Sequence, residues 1–139
     1  MKVLLDTNVV IGFFRDPRLR EEFEFRTKRP LLFMSSVVAL ELFAGCRTKR
    51  QEKELIGFLK PFSSAGRVAT PDDGCFREAG RVLAGLARDG MGVEHRRRIV
   101  NDVLIAVTAR MQGLVVITAN AGDFSKIERQ TPVRWMLPG

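Results

Sequence analysis

The feature that most constrains this chain is its repeated switch from a short apolar run of strand length to a segment of helix length. Lys2 to Leu5 is a β-rich run closed by Asp6, and Val9 to Phe14 then supplies about a turn and a half of helix. Leu31 to Met34 is a second such run, with Ser35 or Ser36 placed to cap a helix from Val37 to Cys46. Val68 and Ala69 precede Thr70-Pro71-Asp72-Asp73, which sets a capping residue, a first-turn proline and two acids at the start of a helix reaching Arg88. An apolar helix from Ile99 to Met111 is closed by Gly113 before the run Leu114 to Ile117, and Val133 to Met136 supplies a last edge strand. Strands separated by helices pair in parallel through right-handed crossovers, and a parallel sheet must be covered on both faces. The expected fold is α/β, a three-layer α/β/α sandwich around a central, mainly parallel sheet.

At 139 residues the chain has the size of one core, so a single domain over 1–139 is expected. Two further helices are read at residues 17 to 28, around Phe23 and Phe25, and from Arg50 to Lys60, stopped by Pro61. The helix ending at Arg88 should carry Phe76, Ala79, Leu83 and Leu86 on its apolar side. The longest apolar run, Val103 to Val107, is far short of the roughly 20 residues needed to cross a bilayer. Val3 to Leu5 is too short for the core of a secretory signal, so a cytoplasmic location without a membrane role is expected.

The inventory closes several chemistries. One His and two Cys cannot build a four-ligand Cys/His zinc site or a pair of imidazoles, and Cys46 and Cys75 are expected in the core as free thiols. His95 lies in Glu94-His95-Arg96-Arg97-Arg98, which reads as a solvated loop or helix end. Gly-rich phosphate-binding motifs are absent. Any catalysis therefore falls to carboxylates.

Sheets of this kind bind ligands beyond the carboxyl ends of their strands, and four acids invite attention there. Asp6 follows the first strand, where it could also simply cap the next helix. Glu41 sits in Val37-Val38-Ala39-Leu40-Glu41-Leu42-Phe43-Ala44-Gly45, apolar around the whole helix, and its neighbours at three and four residues cannot pair with a carboxylate. An unpaired buried carboxylate is costly or shifts its pKa, so a cation must reach it from elsewhere, either a metal ion or a distant Arg. Asp102 opens an apolar helix, a position that also suits the helix dipole, and Asp123 lies in the turn after the buried strand. Two carboxylates about 4 Å apart repel by about 4 kcal/mol at an effective dielectric near 20, a repulsion that Mg²⁺ or Mn²⁺ would offset. The 23 Lys and Arg against 16 Asp and Glu leave a net charge of +7, which suits a polyanionic partner or simply a soluble basic surface.

Leu4-Leu5-Asp6-Thr7-Asn8, Glu41 after Ser36, Asn101-Asp102 before Leu104-Ile105-Ala106, and Thr118-Ala119-Asn120 followed by Asp123-Phe124 resemble PIN-domain ribonucleases, specifically the VapC-type toxins of bacterial toxin–antitoxin pairs. The resemblance runs from Met1 to about Leu137. It implies that Asp6, Glu41, Asp102 and Asp123 are the catalytic, metal-binding acids, with Thr7, Asn8, Ser36, Asn101, Thr118 and Asn120 in support. It also implies one or two Mg²⁺ or Mn²⁺ ions, endonucleolytic cutting of structured RNA such as a tRNA or rRNA loop, a cognate antitoxin protein, and a homodimer. Among the basic clusters, Arg96, Arg97 and Arg98 are expected to grip RNA phosphates, because three arginines at the start of the Asp102 helix would oppose its dipole. Phe13, Phe14, Phe43, Phe58 and Phe62 are either core or part of an antitoxin groove. The alternative is a catalytically silent RNA-binding or protein-interaction domain, which would lack one or more of the four acids. A phosphoacceptor receiver domain would want paired acids after the first strand, where Thr7 and Asn8 stand instead.

Overall fold

The computed structural model describes residues 1–139. The chain forms β1 (Lys2–Leu5), α1 (Thr7–Arg15), α2 (Pro17–Arg26), β2 (Leu31–Ser35), α3 (Ser36–Ala44), α4 (Lys49–Ser64), β3 (Val68–Ala69), α5 (Asp73–Arg88), α6 (Val93–Arg98), α7 (Val100–Gln112), β4 (Val115–Ile117), α8 (Ala121–Glu128) and β5 (Trp135–Met136). The strands form one sheet in the order β3-β2-β1-β4-β5, every pair parallel. Helices flank the sheet in the three-layer α/β/α arrangement that the strand-helix alternation predicts. No helix is long and apolar enough to cross a membrane.

The site is positioned by the two central strands. The chain steps outward from β1 to β2 to β3, then returns to lay β4 against the other side of β1, so the order reverses between β1 and β4. Val3, Leu4, Leu5, Val116 and Ile117 are buried, which explains why these strands read as continuous apolar runs. The register pairs Leu5 with Ile117, and the Asp6 amide donates to the Ile117 carbonyl at 2.9 Å. The residues that follow each strand, Asp6 and Thr118, are thereby set side by side at the switch point, where such sheets open a crevice.

Local chemistry starts the helices. Asp6 caps α1 by accepting from the Thr7 amide at 2.8 Å, and the Ser35 hydroxyl accepts from the amides of Val37 and Val38 to cap α3. Asp72, two residues beyond Thr70, is the cap of α5. Gly113 closes α7 in the left-handed region at φ 69°, which a side chain would strain.

Several expectations need correction. Helix α4 runs through Pro61 to Ser64 instead of stopping before it. Proline within a helix costs about 3 kcal/mol, a cost offset here by sinking Phe62 into the core, where its ring lies 6.0 Å from that of Phe58. Phe76 is 56% exposed, so the apolar face of α5 is carried by Cys75, Ala79, Val82 and Leu86, with Leu83 packed against the core beside them. Cys75 is a core thiol, but Cys46 is only half-buried beyond the end of α3. Helix α3 itself is not enclosed, since Leu40 is 64% and Phe43 38% exposed. The stretch before Asp102 is a separate helix, α6, so Arg96, Arg97 and Arg98 occupy the last turn of one helix and not the first turn of the next. At that end positive charge is favoured by the dipole, which removes the electrostatic reason for setting these arginines aside as RNA contacts.

Candidate active site

Asp6 is the anchor of the crevice. It is 5% exposed, and both its oxygens are held: Oδ1 accepts from the Thr7 amide, and Oδ2 accepts from the Thr118 hydroxyl at 2.7 Å. The Thr118 hydroxyl also accepts from the Asn120 amide at 3.0 Å, so one side chain ties the end of β1 to the turn after β4. The Asn120 side-chain amide then donates to Asp102 Oδ2 at 3.0 Å and to Asp123 Oδ2 at 2.9 Å. Asp102 comes from the first turn of α7 and Asp123 from the first turn of α8.

Glu41 completes the group from α3. Burial pushes its pKa up, nearby Asp6 adds to this, and hydrogen bonding from Thr7 and Asn101 opposes it. The buried Thr7 hydroxyl makes no hydrogen bond of ordinary length, yet its nearness favours the charged form of Glu41. Asp102 is displaced furthest. Burial, reinforced by the charges of Asp6, Asp123 and Glu41 and only partly relieved by Asn120, pushes it up to about 7. Asp123 goes the other way: burial raises it, but hydrogen bonds from Asn120 and His95 and the charges of His95 and Lys126 outweigh this and leave it below the usual carboxylate range.

The four sequence-predicted acids thus meet electrostatically at one end of the sheet. Thr7, Asn101, Thr118 and Asn120 join them. Ser36 does not, since its hydroxyl pairs with that of Thr70 at 2.6 Å. Asn8 is exposed and lines a different cavity with Phe13, Phe23 and Arg26. His95 is the residue that sequence reading missed. It lies in the last turn of α6, a helix end as one of the two readings has it, but it is not solvated, because its Nε2 lies 2.7 Å from Asp123 Oδ1 with the side chain largely covered. No local pattern announces a contact across 28 residues.

Asp6, Glu41 and Asp102 form no ion pair with Lys, Arg or His; Arg15 lines the same groove as Glu41 but does not pair with it. Three mutually repelling acids without a cation, beside an orphaned threonine hydroxyl, fit a hard divalent ion. No three Asp, Glu, His or Cys side chains come together closely enough to ligate one metal ion directly. An ion such as Mg²⁺, which binds through one or two carboxylates and keeps several waters, does not need three direct protein ligands.

Residues 3–130 match a family model described as the PIN domain. The chain belongs to the PIN-domain family. Its relatives place it among VapC-type PIN-domain proteins: it is 30% identical over 129 residues to the "tRNA(fMet)-specific endonuclease VapC" of Salmonella typhimurium, covering 91% of this chain and 92% of that one. The protein of the same name from Shigella flexneri is 27% identical over 127 residues, covering 91% and 92%. Among solved structures, the DNA-bound VapBC complex from Salmonella typhimurium superposes with a TM-score of 0.71 at 28% identity, covering 100% of this chain and 99% of that one. The PIN-domain match begins within β1 and ends beyond α8, so it spans all four acids.

Proposed function

We propose that this PIN-domain protein is a divalent-metal endoribonuclease, the toxin of a type II toxin–antitoxin pair, acting in the cytoplasm. The observation that carries the reading is the cation-free trio of Asp6, Glu41 and Asp102 at the switch point of the sheet, with Asp102 pushed up to about 7. Relatives named as tRNA-specific endonucleases support RNA as the substrate and make a tRNA loop the first class to test.

Asp6, Glu41 and Asp102 would hold Mg²⁺ or Mn²⁺, one or two ions, with Asp123 beside them. When bound, such an ion lowers the pKa of an attacking water and stabilises charge at the phosphorus and the leaving 3′ oxygen. The protein supplies position. Thr118 fixes the Asp6 carboxylate, the Thr7 hydroxyl and Asn101 favour the charged form of Glu41, and Asn120 fixes Asp102. A histidine base is not required, and the products would carry 5′-phosphate and 3′-hydroxyl ends.

The RNA must cross a basic rim to reach the acids. Arg96 is partly committed, its Nε donating to the Met91 carbonyl at 3.2 Å, and Arg97 approaches Glu94 at 3.5 Å, which leaves Arg98 the least encumbered of the three. Lys126 and Arg129, which form no ion pair, line a cleft of about 270 Å³ with His95 and widen the rim along α8. On the opposite side, a groove of about 320 Å³ lined by Thr7, Val10, Phe14, Glu41, Leu42 and Leu55 runs up to the acids. With Phe14 and Phe43 partly exposed, it offers an apolar seat for an antitoxin segment, and the VapBC neighbour supports such a partner. The exposed Leu40 and Phe43 on α3 give the homodimer a candidate surface.

The test is cleavage of a tRNA panel with Mg²⁺ or Mn²⁺ by wild type, Asp6→Asn and Glu41→Gln, each shown to be folded. Metal-dependent cutting confined to wild type supports the reading. Binding without cutting, or ends carrying 2′,3′-cyclic phosphate, contradicts it.

A further inference from the structure

We propose that His95 is a positioning residue of this site, and that Asp123 acts through Asn120 instead of serving as a metal ligand; the inference rests on the metal-site reading above. Both oxygens of Asp123 are engaged, Oδ1 with His95 Nε2 at 2.7 Å and Oδ2 with the Asn120 amide at 2.9 Å. An ionised carboxylate only accepts hydrogen bonds, so the His95 Nε2 carries the hydrogen and donates it. Asn120 Nδ2 has two hydrogens, and both have acceptors: one reaches Asp123 Oδ2, the other Asp102 Oδ2 at 3.0 Å. A flipped amide would set its carbonyl oxygen against two carboxylates, so the orientation of Asn120 is fixed by what Asp123 and Asp102 accept.

The contacts form one line across three helices, from His95 on α6 to Asp123 on α8, back to Asn120 before α8, and on to Asp102 on α7. At its far end Asp102 is gripped by one oxygen only, and the other stays free among the charges of Asp6 and Glu41. At its near end His95 is held by a six-residue helix whose entry turn is pinned by the Arg96 bond to the Met91 carbonyl. Asp123 therefore has its own hydrogen-bond donor in His95 and a structural task, whereas no Lys, Arg or His pairs with the trio and Asp102 keeps one oxygen free. Partners that orient metal ligands in this way typically change metal affinity or activity by about 10–100-fold when removed.

The experiment is Mn²⁺ binding by calorimetry to wild type, His95→Ala and His95→Gln, with Gln restoring a donor at similar reach. Removing the donor should weaken Mn²⁺ binding about tenfold and the Gln variant should recover most of it, while thermal unfolding reports any general loss of fold. Tighter binding by His95→Ala would mean that His95 competes with the ion for Asp123, and unchanged binding would mean no role; either overturns the inference. In the metal-free protein, the Asn120 side-chain amide resonances should shift in His95→Ala and return in His95→Gln, and unmoved resonances overturn it as well. Loss of RNA cutting by the wild type with Mn²⁺ binding intact counts against the ribonuclease reading alone; absence of Mn²⁺ binding overturns both.

Discussion

Asp102 and Asp123 share one amide, that of Asn120, at nearly the same distance, yet the two sides of the site treat their carboxylates in opposite ways. On the Asp102 side, burial and the charges of Asp6, Asp123 and Glu41 push the carboxyl up to about 7. On the Asp123 side, hydrogen bonds from Asn120 and His95, with the charges of His95 and Lys126, outweigh burial, and the carboxyl falls below its usual range. Proximity to the crevice does not decide a carboxylate's environment; its hydrogen-bond donors and the protein charges around it do. The trio side is left in need of a positive ion, and the Asp123 side is already satisfied.

The largest effect that can break this contrast is on activity. Asp6→Asn or Asp102→Asn should lower RNA cleavage by about a hundredfold or more, since metal-held charge stabilisation is worth several kcal/mol. A loss of equal depth in Asp123→Asn would erase the distinction between the two sides.

Next comes stability without metal. A carboxyl whose folded pKa is raised to about 7 binds more protons when folded than when unfolded between roughly pH 4 and 7, so its contribution to stability falls as pH rises through that window and levels off above it. Asp102→Asn, which keeps an acceptor for Asn120, should therefore stabilise the metal-free protein at pH 8 by roughly 2 kcal/mol, after discounting for partial solvent exposure, and by nearly nothing at pH 4. Denaturant unfolding at the two pH values measures it, and a destabilised variant at pH 8 would contradict the account.

Thr118→Val keeps the shape but removes the donor to Asp6 and the acceptor for the Asn120 amide. A cost of about 1–2 kcal/mol is expected by urea denaturation. The smallest effect belongs to Asp123→Asn. Its pKa is lowered, so the stability it contributes is present above the unfolded value near 4 and lost as pH falls through the folded one. The variant should lose less than about 1 kcal/mol at neutral pH, with wild type and variant converging in acid once the folded carboxyl is protonated; opposite signs for Asp102→Asn and Asp123→Asn are the sharpest form of the comparison.

The fold was legible because its strands are buried on both faces and announce themselves as uninterrupted apolar runs. Lys2–Leu5 and Val68–Ala69 emerge with the bounds that were read, and Val115–Ile117 within one residue. What escaped was decided by tertiary contacts. Burial of Phe62 carries α4 through Pro61, and solvent on one side of α3 leaves Leu40 exposed although every neighbour is apolar. Within the site, Asp6, Glu41 and Asp102 could be picked out because an acid in an apolar context, or at a strand end, has few structural reasons to be there. Asn8, next to Thr7 in sequence, turns away because successive helical residues point about 100° apart. The His95 contact depends on how α6 is set against α8, and nothing in Glu94-His95-Arg96-Arg97-Arg98 encodes that placement.

The need of the trio for a divalent ion is tested most directly by thermal unfolding with and without Mn²⁺ at pH 5 and pH 8, in wild type and Asp102→Asn. An ion at a hundred times its Kd should stabilise the wild type by about 2.7 kcal/mol, and at fixed Mn²⁺ the effect should be larger at pH 8, where Asp102 need not surrender a proton to bind. Asp102→Asn should show little shift at either pH. No Mn²⁺-dependent shift in the wild type, or the same shift in the variant, would contradict the account.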